Sequence, residues 1–299
     1  MEVAVTGGSG FIGTHVLELL RGRYNVTVFD TNESKLSDVK FFRIDINSLQ
    51  DVIATLKNYD SVVHLAGVLG VEKSEKYPVT TLDTNVGGTR NVLEACRRSD
   101  IKKIIFASSS EVYGEPVKIP VEETDVPIPI TIYGLSKLTA EEYVKSYSRQ
   151  YGMKYTILRF FNAYGPGQAT DFVIPMFVRM AIQNIPLAIH GDGSQVRAFC
   201  HVRDISQGIL HALEGGDNET FNIGNDTEPI TIKELAMRII SMTNSESKLS
   251  FLSFNRGRIK EIMRRIPSIE KAKRILGYKP HTSLNEGLTS VIAHLGDKK

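Results

Sequence analysis

Residues Thr6 to Gly13 read Thr-Gly-Gly-Ser-Gly-Phe-Ile-Gly, placed between an apolar triplet, Val3-Ala4-Val5, and Phe11 to Arg21, where apolar residues recur at helical spacing. A strand, a glycine turn and a helix in that order leave few folds open. Glycines there permit a tight turn, let backbone N–H groups approach a pyrophosphate and allow the helix to pack closely on the strand, while the helix N-terminus attracts the anion. Gly7, Gly10 and Gly13, with Phe11 and Ile12 opening the helix, are therefore candidate cofactor contacts. A bare glycine pattern is weak; its context gives it weight. The second apolar run ends in Asp30, near the spacing at which a carboxylate accepts hydrogen bonds from a ribose 2′-OH and repels a 2′-phosphate. That favours NAD over NADP. The plainer reading of Asp30 is a strand-end turn former.

The same alternation continues. Val26 to Phe29, Lys40 to Arg43, Ser61 to Leu65, Ile104 to Ala107 and Tyr155 to Leu158 read as strands, separated by helix-period segments Leu49 to Leu56, Val79 to Arg98 and Tyr133 to Tyr151. Strands alternating with helices predict an α/β fold with a doubly wound parallel sheet. From Asn162 onward Pro166, Pro175, Pro186 and Pro229 punctuate shorter elements, which predicts a smaller C-terminal lobe. The expected division is a dinucleotide-binding domain over 1–161 and a mainly substrate-binding lobe over 162–299. Phe199 to Arg203 and Phe221 to Ile223 still read as strands, so segments near 199–224 are expected to return to the first domain and leave the second discontinuous.

Composition narrows the class. Hydrophobic residues at 41% and charged residues at 23% are ordinary for a folded chain. Thirty-six basic against 34 acidic side chains leave +2, too balanced for a protein that wraps nucleic acid. Cys96 and Cys200 stand alone, and His64, His201 and His211 form no ligand spacing, so neither a disulfide framework nor a metal is expected. No apolar run reaches the length of a membrane span, and no leader pattern stands at the start, so the expected location is cytoplasmic.

Of the eleven tyrosines, Tyr133 alone has a lysine four positions on, Lys137, and the pair opens a helical segment where i and i+4 share a face. Chance alone would supply one such pair; the neighbouring glycine turn is what singles it out. A free phenol titrates near 10, so a phenolate near neutrality needs about 4 kcal/mol of preferential stabilisation. An ammonium at ~4 Å in an effective dielectric of ~20 supplies about that much before desolvation is subtracted. Such a phenolate can serve as a general base toward a sugar hydroxyl.

Together these residues resemble the extended short-chain dehydrogenase/reductase superfamily, in its NAD-dependent nucleotide-sugar epimerase/dehydratase branch. The resemblance runs through Thr6 to Gly13, Asp45-Ile46, His64 to Gly67, Asn85 to Val92, Phe106 to Gly114, Tyr133 to Lys137 and Arg159 to Asn162. It implies that Asp45 and Ile46 hold adenine, that Leu65, Ala66 and Gly67 line the cofactor's path, that Asn85 shapes the sheet beside it, and that Phe160 joins the cofactor contacts. It implies a catalytic set of Ser109, Tyr133 and Lys137, in which Ser109 shares the sugar hydroxyl with Tyr133. Asn162, Val173, Arg197 and Arg258 match positions that contact the nucleotide sugar, guanidinium forks suiting diphosphate oxygens. Arg258 in its basic stretch also reads as a solvated face. Ala198 stands where the family often has Asp, and Asp204 matches the family's return strand.

The resemblance implies an enzyme that begins by oxidising C4 of a nucleotide sugar, and the expected reaction is 4-epimerisation of a UDP-hexose. Ser110-Glu111 replaces the Asp-Glu of 4,6-dehydratases, while Ser-Glu-Val-Tyr-Gly and the segment around Arg265 resemble UDP-glucuronate decarboxylases. Decarboxylation or dehydration through Glu111, with Arg265, stays open, as does a non-catalytic NAD-binding sensor or scaffold. Val79 to Arg98 and Tyr133 to Tyr151 carry apolar stripes that suit a homodimer interface or simple core packing.

Overall fold

A computed structural model describes residues 1–253 and 262–296. The first half runs β1 (Glu2–Thr6), α1 (Phe11–Leu20), β2 (Asn25–Asp30), β3 (Lys40–Arg43), α2 (Leu49–Thr55), β4 (Ser61–His64), α3 (Val71–Lys76), α4 (Pro78–Leu82), a π-helical turn (Asp83–Gly88), α5 (Thr89–Arg98), β5 (Lys103–Ser109), a 3-10 turn (Ser110–Tyr113), α6 (Ile132–Tyr151) and β6 (Lys154–Phe160). The second half runs β7 (Ala163–Tyr164), α7 (Val173–Ile182), β8 (Leu187–His190), β9 (Val196–Ala198), β10 (Cys200–His201), α8 (Val202–Glu214), β11 (Glu219–Ile223), β12 (Pro229–Thr231), α9 (Ile232–Met242), β13 (Leu249–Leu252), β14 (Arg264–Arg265), α10 (Glu270–Leu276) and α11 (Leu284–Gly296).

The main sheet is parallel throughout, in the order β11-β6-β5-β4-β1-β2-β3. The order reverses between β1 and β4, so their carboxyl ends open a crevice where such sheets take ligands. Both faces are covered, which is why β5 is buried at every residue. Alternation assigns the faces: Val3 and Val5 join a core with α1 and α8, while Ala4 joins one with α2, α5 and α6. A third core lies among α7, α9 and α11. Around it stand three small sheets, β10-β7, β12-β9-β14 and β13-β8.

Two expectations need correction. Val79 to Arg98 is not one helix, because the chain loosens to a π turn at Asp83–Gly88. There the Asn85 side chain turns inward to bond the Val68 backbone, and a Cβ at Gly88 would sit 2.6 Å from Ile46 Cδ1. Phe199 to Arg203 does not return to the main sheet either: only Cys200–His201 is strand, and it pairs with β7. The His201 ring accepts from Arg203 N at 3.3 Å and starts α8 one residue on. Asp204 therefore lies in the first turn of a helix rather than on a strand, where its carboxylate accepts from His281 N and Thr282 N at 2.9 and 3.1 Å.

Candidate active site

A cavity of about 930 Å³ occupies the crevice, running from the glycine turn to the small sheets. Gly7 holds φ +74°, and a Cβ there would sit 2.5 Å from Ala66 N; at Gly13 it would meet Gly7 O at 2.4 Å. Glycine is what lets β1, the turn and α1 approach so closely. Gly10 caps α1 without a side-chain bond, leaving amide donors of Phe11 and Ile12 at the mouth for an anion. Asp30 closes the rim, accepting from Ser9 N and Asn32 N at 3.0 Å each. Asp45, Ile46, Leu65, Ala66, Gly67 and Phe160 also line the cavity. Asn85 stands behind its wall, bonding Val68 N at 2.7 Å, Val68 O at 3.1 Å and Ser136 Oγ at 2.9 Å. The crowded turn, the open helix end and the rim carboxylate fit a dinucleotide.

At the floor, β5 delivers Ser109 and α6 delivers Tyr133. Thr131 caps α6 by accepting from Gly134 N at 3.0 Å, which puts Tyr133 in the first turn and Lys137 one turn on. A Cβ at Gly134 would sit 2.5 Å from Glu111 O, so glycine lets α6 rest against the 3-10 turn that follows Ser109. Ser109 and Tyr133 are both buried and both line the cavity, and the Ser109 hydroxyl accepts from Glu111 N at 3.2 Å.

The electrostatics differ from the sequence expectation. Lys137 donates to Ala107 O at 2.9 Å and lies 5.2 Å from the Phe106 ring centroid. Burial raises the Tyr133 phenol well above its ordinary range, the Glu111 charge raises it further, and only the Ser109 hydrogen bond lowers it. Burial also pulls Lys137 down to about 8, with Glu141 opposing. Desolvation therefore outweighs the ammonium at Tyr133 in the protein alone; the expectation had left that cost unsubtracted.

The far end of the cavity, beside the small sheets, is charged. Glu111 on the 3-10 turn forms a close ion pair with Arg265 of β14, both largely buried, and the Arg265 Nε is buried without a partner among the described residues. Register places Arg265 opposite Arg197 of β9, and both guanidinium groups line the cavity. Arg197 donates to Val196 O at 3.0 Å. Asn162, at φ +40°, donates to Ala198 O at 3.0 Å, and Val173 opens α7 on the cavity wall. Arg258 lies outside the described residues.

Sequence reasoning missed a buried chain behind the floor. Ser108 Oγ donates to Glu141, which also receives Arg159 Nε and Nη2 at 2.9 and 2.7 Å. Arg159 Nη1 donates to the Tyr113 hydroxyl at 2.9 Å, and Tyr113 donates to Asn222 Oδ1 at 2.7 Å. Glu141, one helical turn beyond Lys137, was the available signal.

Residues 3–224 match the model of the NAD dependent epimerase/dehydratase family. The chain belongs to that family. It is 37% identical, over 97% of both chains, to a putative UDP-glucose 4-epimerase of Methanocaldococcus jannaschii. It is 34% identical to a UDP-N-acetyl-alpha-D-glucosaminuronate decarboxylase of Bacillus cytotoxicus, over 96% of this chain and 95% of the relative. The crystal structure of UDP-glucose 4-epimerase from Thermotoga maritima with UDP-glucose superposes with a TM-score of 0.94 at 33% identity, covering 100% of this chain and 99% of that one. Family membership accounts for the α/β sheet and the NAD requirement; epimerases and a decarboxylase both stand among its relatives.

Proposed function

We propose that this family member is a 4-epimerase of UDP-hexoses. The observation that carries the reading is the convergence of Ser109, Tyr133 and Lys137 on the same cavity that the dinucleotide turn lines. When bound, NAD would supply the acceptor and the donor of the hydride, and a positive charge brought near Tyr133 would offset the desolvation that holds its phenol up. Ser109 orients the 4-hydroxyl, and Tyr133 takes its proton while C4 gives up hydride. Lys137, with its ammonium near Gly67, steadies the charge that develops. The 4-keto sugar then turns over, takes hydride on its other face and recovers the proton from Tyr133. Arg197 grips the diphosphate as a bidentate fork, with Asn162 and Val173 on the same cavity lining, and Arg258, outside the described residues, is assigned the same role from its place in the sequence. The sheet domain, residues 1–161 with Glu219–Ile223, carries the cofactor, and residues from 162 onward carry most of the sugar contacts.

The reading includes a cytoplasmic homodimer. Tyr77 and Val79 near α4 and Leu135 and Tyr143 on α6 are exposed, and α4 packs against α6. Described helices contain none long and apolar enough to cross a membrane.

The Glu111–Arg265 pair favours a second reading, decarboxylation of UDP-glucuronate, in which Arg265 meets the sugar carboxylate and Glu111 serves as the acid or base beside it. Proton NMR of the protein with NAD and, separately, UDP-glucose, UDP-N-acetylglucosamine, UDP-glucuronate and dTDP-glucose separates them. A C4 epimer at unchanged mass supports epimerisation; a pentose from UDP-glucuronate, or loss of water to a 6-deoxy-4-keto sugar, overturns it.

A further inference from the structure

The two halves of the Glu111–Arg265 pair arrive from distant parts of the chain, one on the turn after β5 and the other on a strap, residues 264–269, that begins as β14 beside β9 and runs on to Val121 and the Asn222 side chain. Both are tied to the same amide. Asn222, fully buried on β11, accepts from the Tyr113 hydroxyl at 2.7 Å, and Tyr113 follows Glu111 by two residues on the same turn. The other end of the amide donates to Val121 O at 3.0 Å and Ser268 O at 3.3 Å. Val121 is itself latched to the strap, Val121 N donating to Ile266 O at 2.8 Å and Ser268 N to Val121 O at 2.7 Å. The Asn222 backbone N–H goes to Glu123 at 2.8 Å, so the Val121–Glu123 segment also meets the β11 backbone. One acceptor faces the Glu111 side and two donors face the Arg265 side. Few other residues offer both, which is what an asparagine amide provides and a carboxylate or an alkyl group does not.

We propose that Asn222 is a positioning residue that sets the distance and angle at which Arg265 meets Glu111, and so decides how the site discriminates sugars by the substituent at C5. A neutral hydroxymethyl leaves the pair intact; a carboxylate there competes with Glu111 for the same guanidinium, and its success depends on how firmly the strap is held. The proposal rests on the reading of the cavity as a nucleotide-sugar site, but the anchoring is read independently of turnover.

The test is Asn222→Asp, which keeps an acceptor for Tyr113 and turns a carboxylate toward two carbonyl oxygens. Hydrogen exchange is expected to quicken at Val121 and Ser268 and stay unchanged in β5. The ratio of kcat/KM for UDP-glucose over UDP-glucuronate is expected to move by about tenfold, while NAD affinity by calorimetry stays within about twofold. Tyr113→Phe frees the amide from the Glu111 side and leaves its bonds to Val121 O and Ser268 O in place, while also costing Arg159 Nη1 its acceptor. It should move the ratio with the strap still protected, and it serves if the aspartate variant does not fold. An unchanged ratio in a folded variant, or a ratio that moves only as NAD affinity falls, overturns the proposal. Exposed strap amides together with no turnover of any sugar by the wild type support the anchoring and overturn the functional reading.

Discussion

Behind the glycine turn, the fully buried His64 ring lies between two hydroxyls, Thr6 Oγ1 at 2.6 Å and Thr89 Oγ1 at 3.0 Å. Behind Ser109 lies the fully buried Glu141 carboxylate with a guanidinium bidentate upon it. The cofactor side is tied by a neutral ring and the Ser109 side by an ion pair. Thr89 spends its one proton on Asn85 O at 2.6 Å, so it accepts from His64 Nε2, and Nδ1 accepts from Thr6. That run from β1 to the π turn has no charge to desolvate, and burial drives the His64 pKa down to about 3. The difference teaches where each end is fragile: the neutral tie fails when a proton is added, the charged one when a partner is removed.

The largest effect belongs where the two ends meet. Tyr133→Phe removes the proton acceptor and leaves the ring, so turnover should fall by about 10³-fold or more while NAD binding, read by calorimetry, holds. Retained turnover would sink the assignment of Tyr133 as base. Next comes the charged side: Glu141→Gln strands the Arg159 guanidinium and should cost about 3 kcal/mol in urea unfolding. Arg159→Met alone should cost a similar amount, and the double variant clearly less than the sum. Additive losses would show that the pair is not a unit.

The neutral side predicts a pH window. With a folded pKa near 3 against about 6.5 unfolded, His64 contributes stability that is full above pH 6.5 and drains as pH falls toward 3. The slope is about 1.4 kcal/mol per pH unit, so about that much is gone at pH 5.5. In His64→Leu that slope is absent, and the stability gap between wild type and variant should narrow on acidification. A gap independent of pH would show that the ring is not held neutral.

The cofactor end was the legible one, and the reason is chain distance. Gly7, Gly13, Asp30, Tyr133 and Lys137 are each placed by the strand, turn or helix on which they sit, so local spacing carries their geometry. Glu111 and Arg265 are 154 residues apart, and Tyr113 and Asn222 are 109 apart; nothing local couples them. Local patterns also misled where one contact outweighed periodicity. Phe199 to Arg203 read as a strand until the His201 ring capped a helix, and the 79–98 stripe read as one helix until Asn85 was drawn onto Val68.

The smallest expected effect tests how finely the cofactor end is set. Asp30 already accepts one backbone N–H from the glycine turn and one from the residues after β2, so its carboxylate is held in place before any ribose arrives. Asp30→Ser keeps a short polar side chain but withdraws the charge. NAD affinity should weaken by about tenfold, or about 1.4 kcal/mol, while NADP, whose 2′-phosphate no longer faces a carboxylate, should weaken less or gain. Calorimetric titration with both cofactors reads the two together. Equal losses would make Asp30 a part of the turn's scaffold alone; a change in the NAD to NADP ratio makes it the residue that chooses between them.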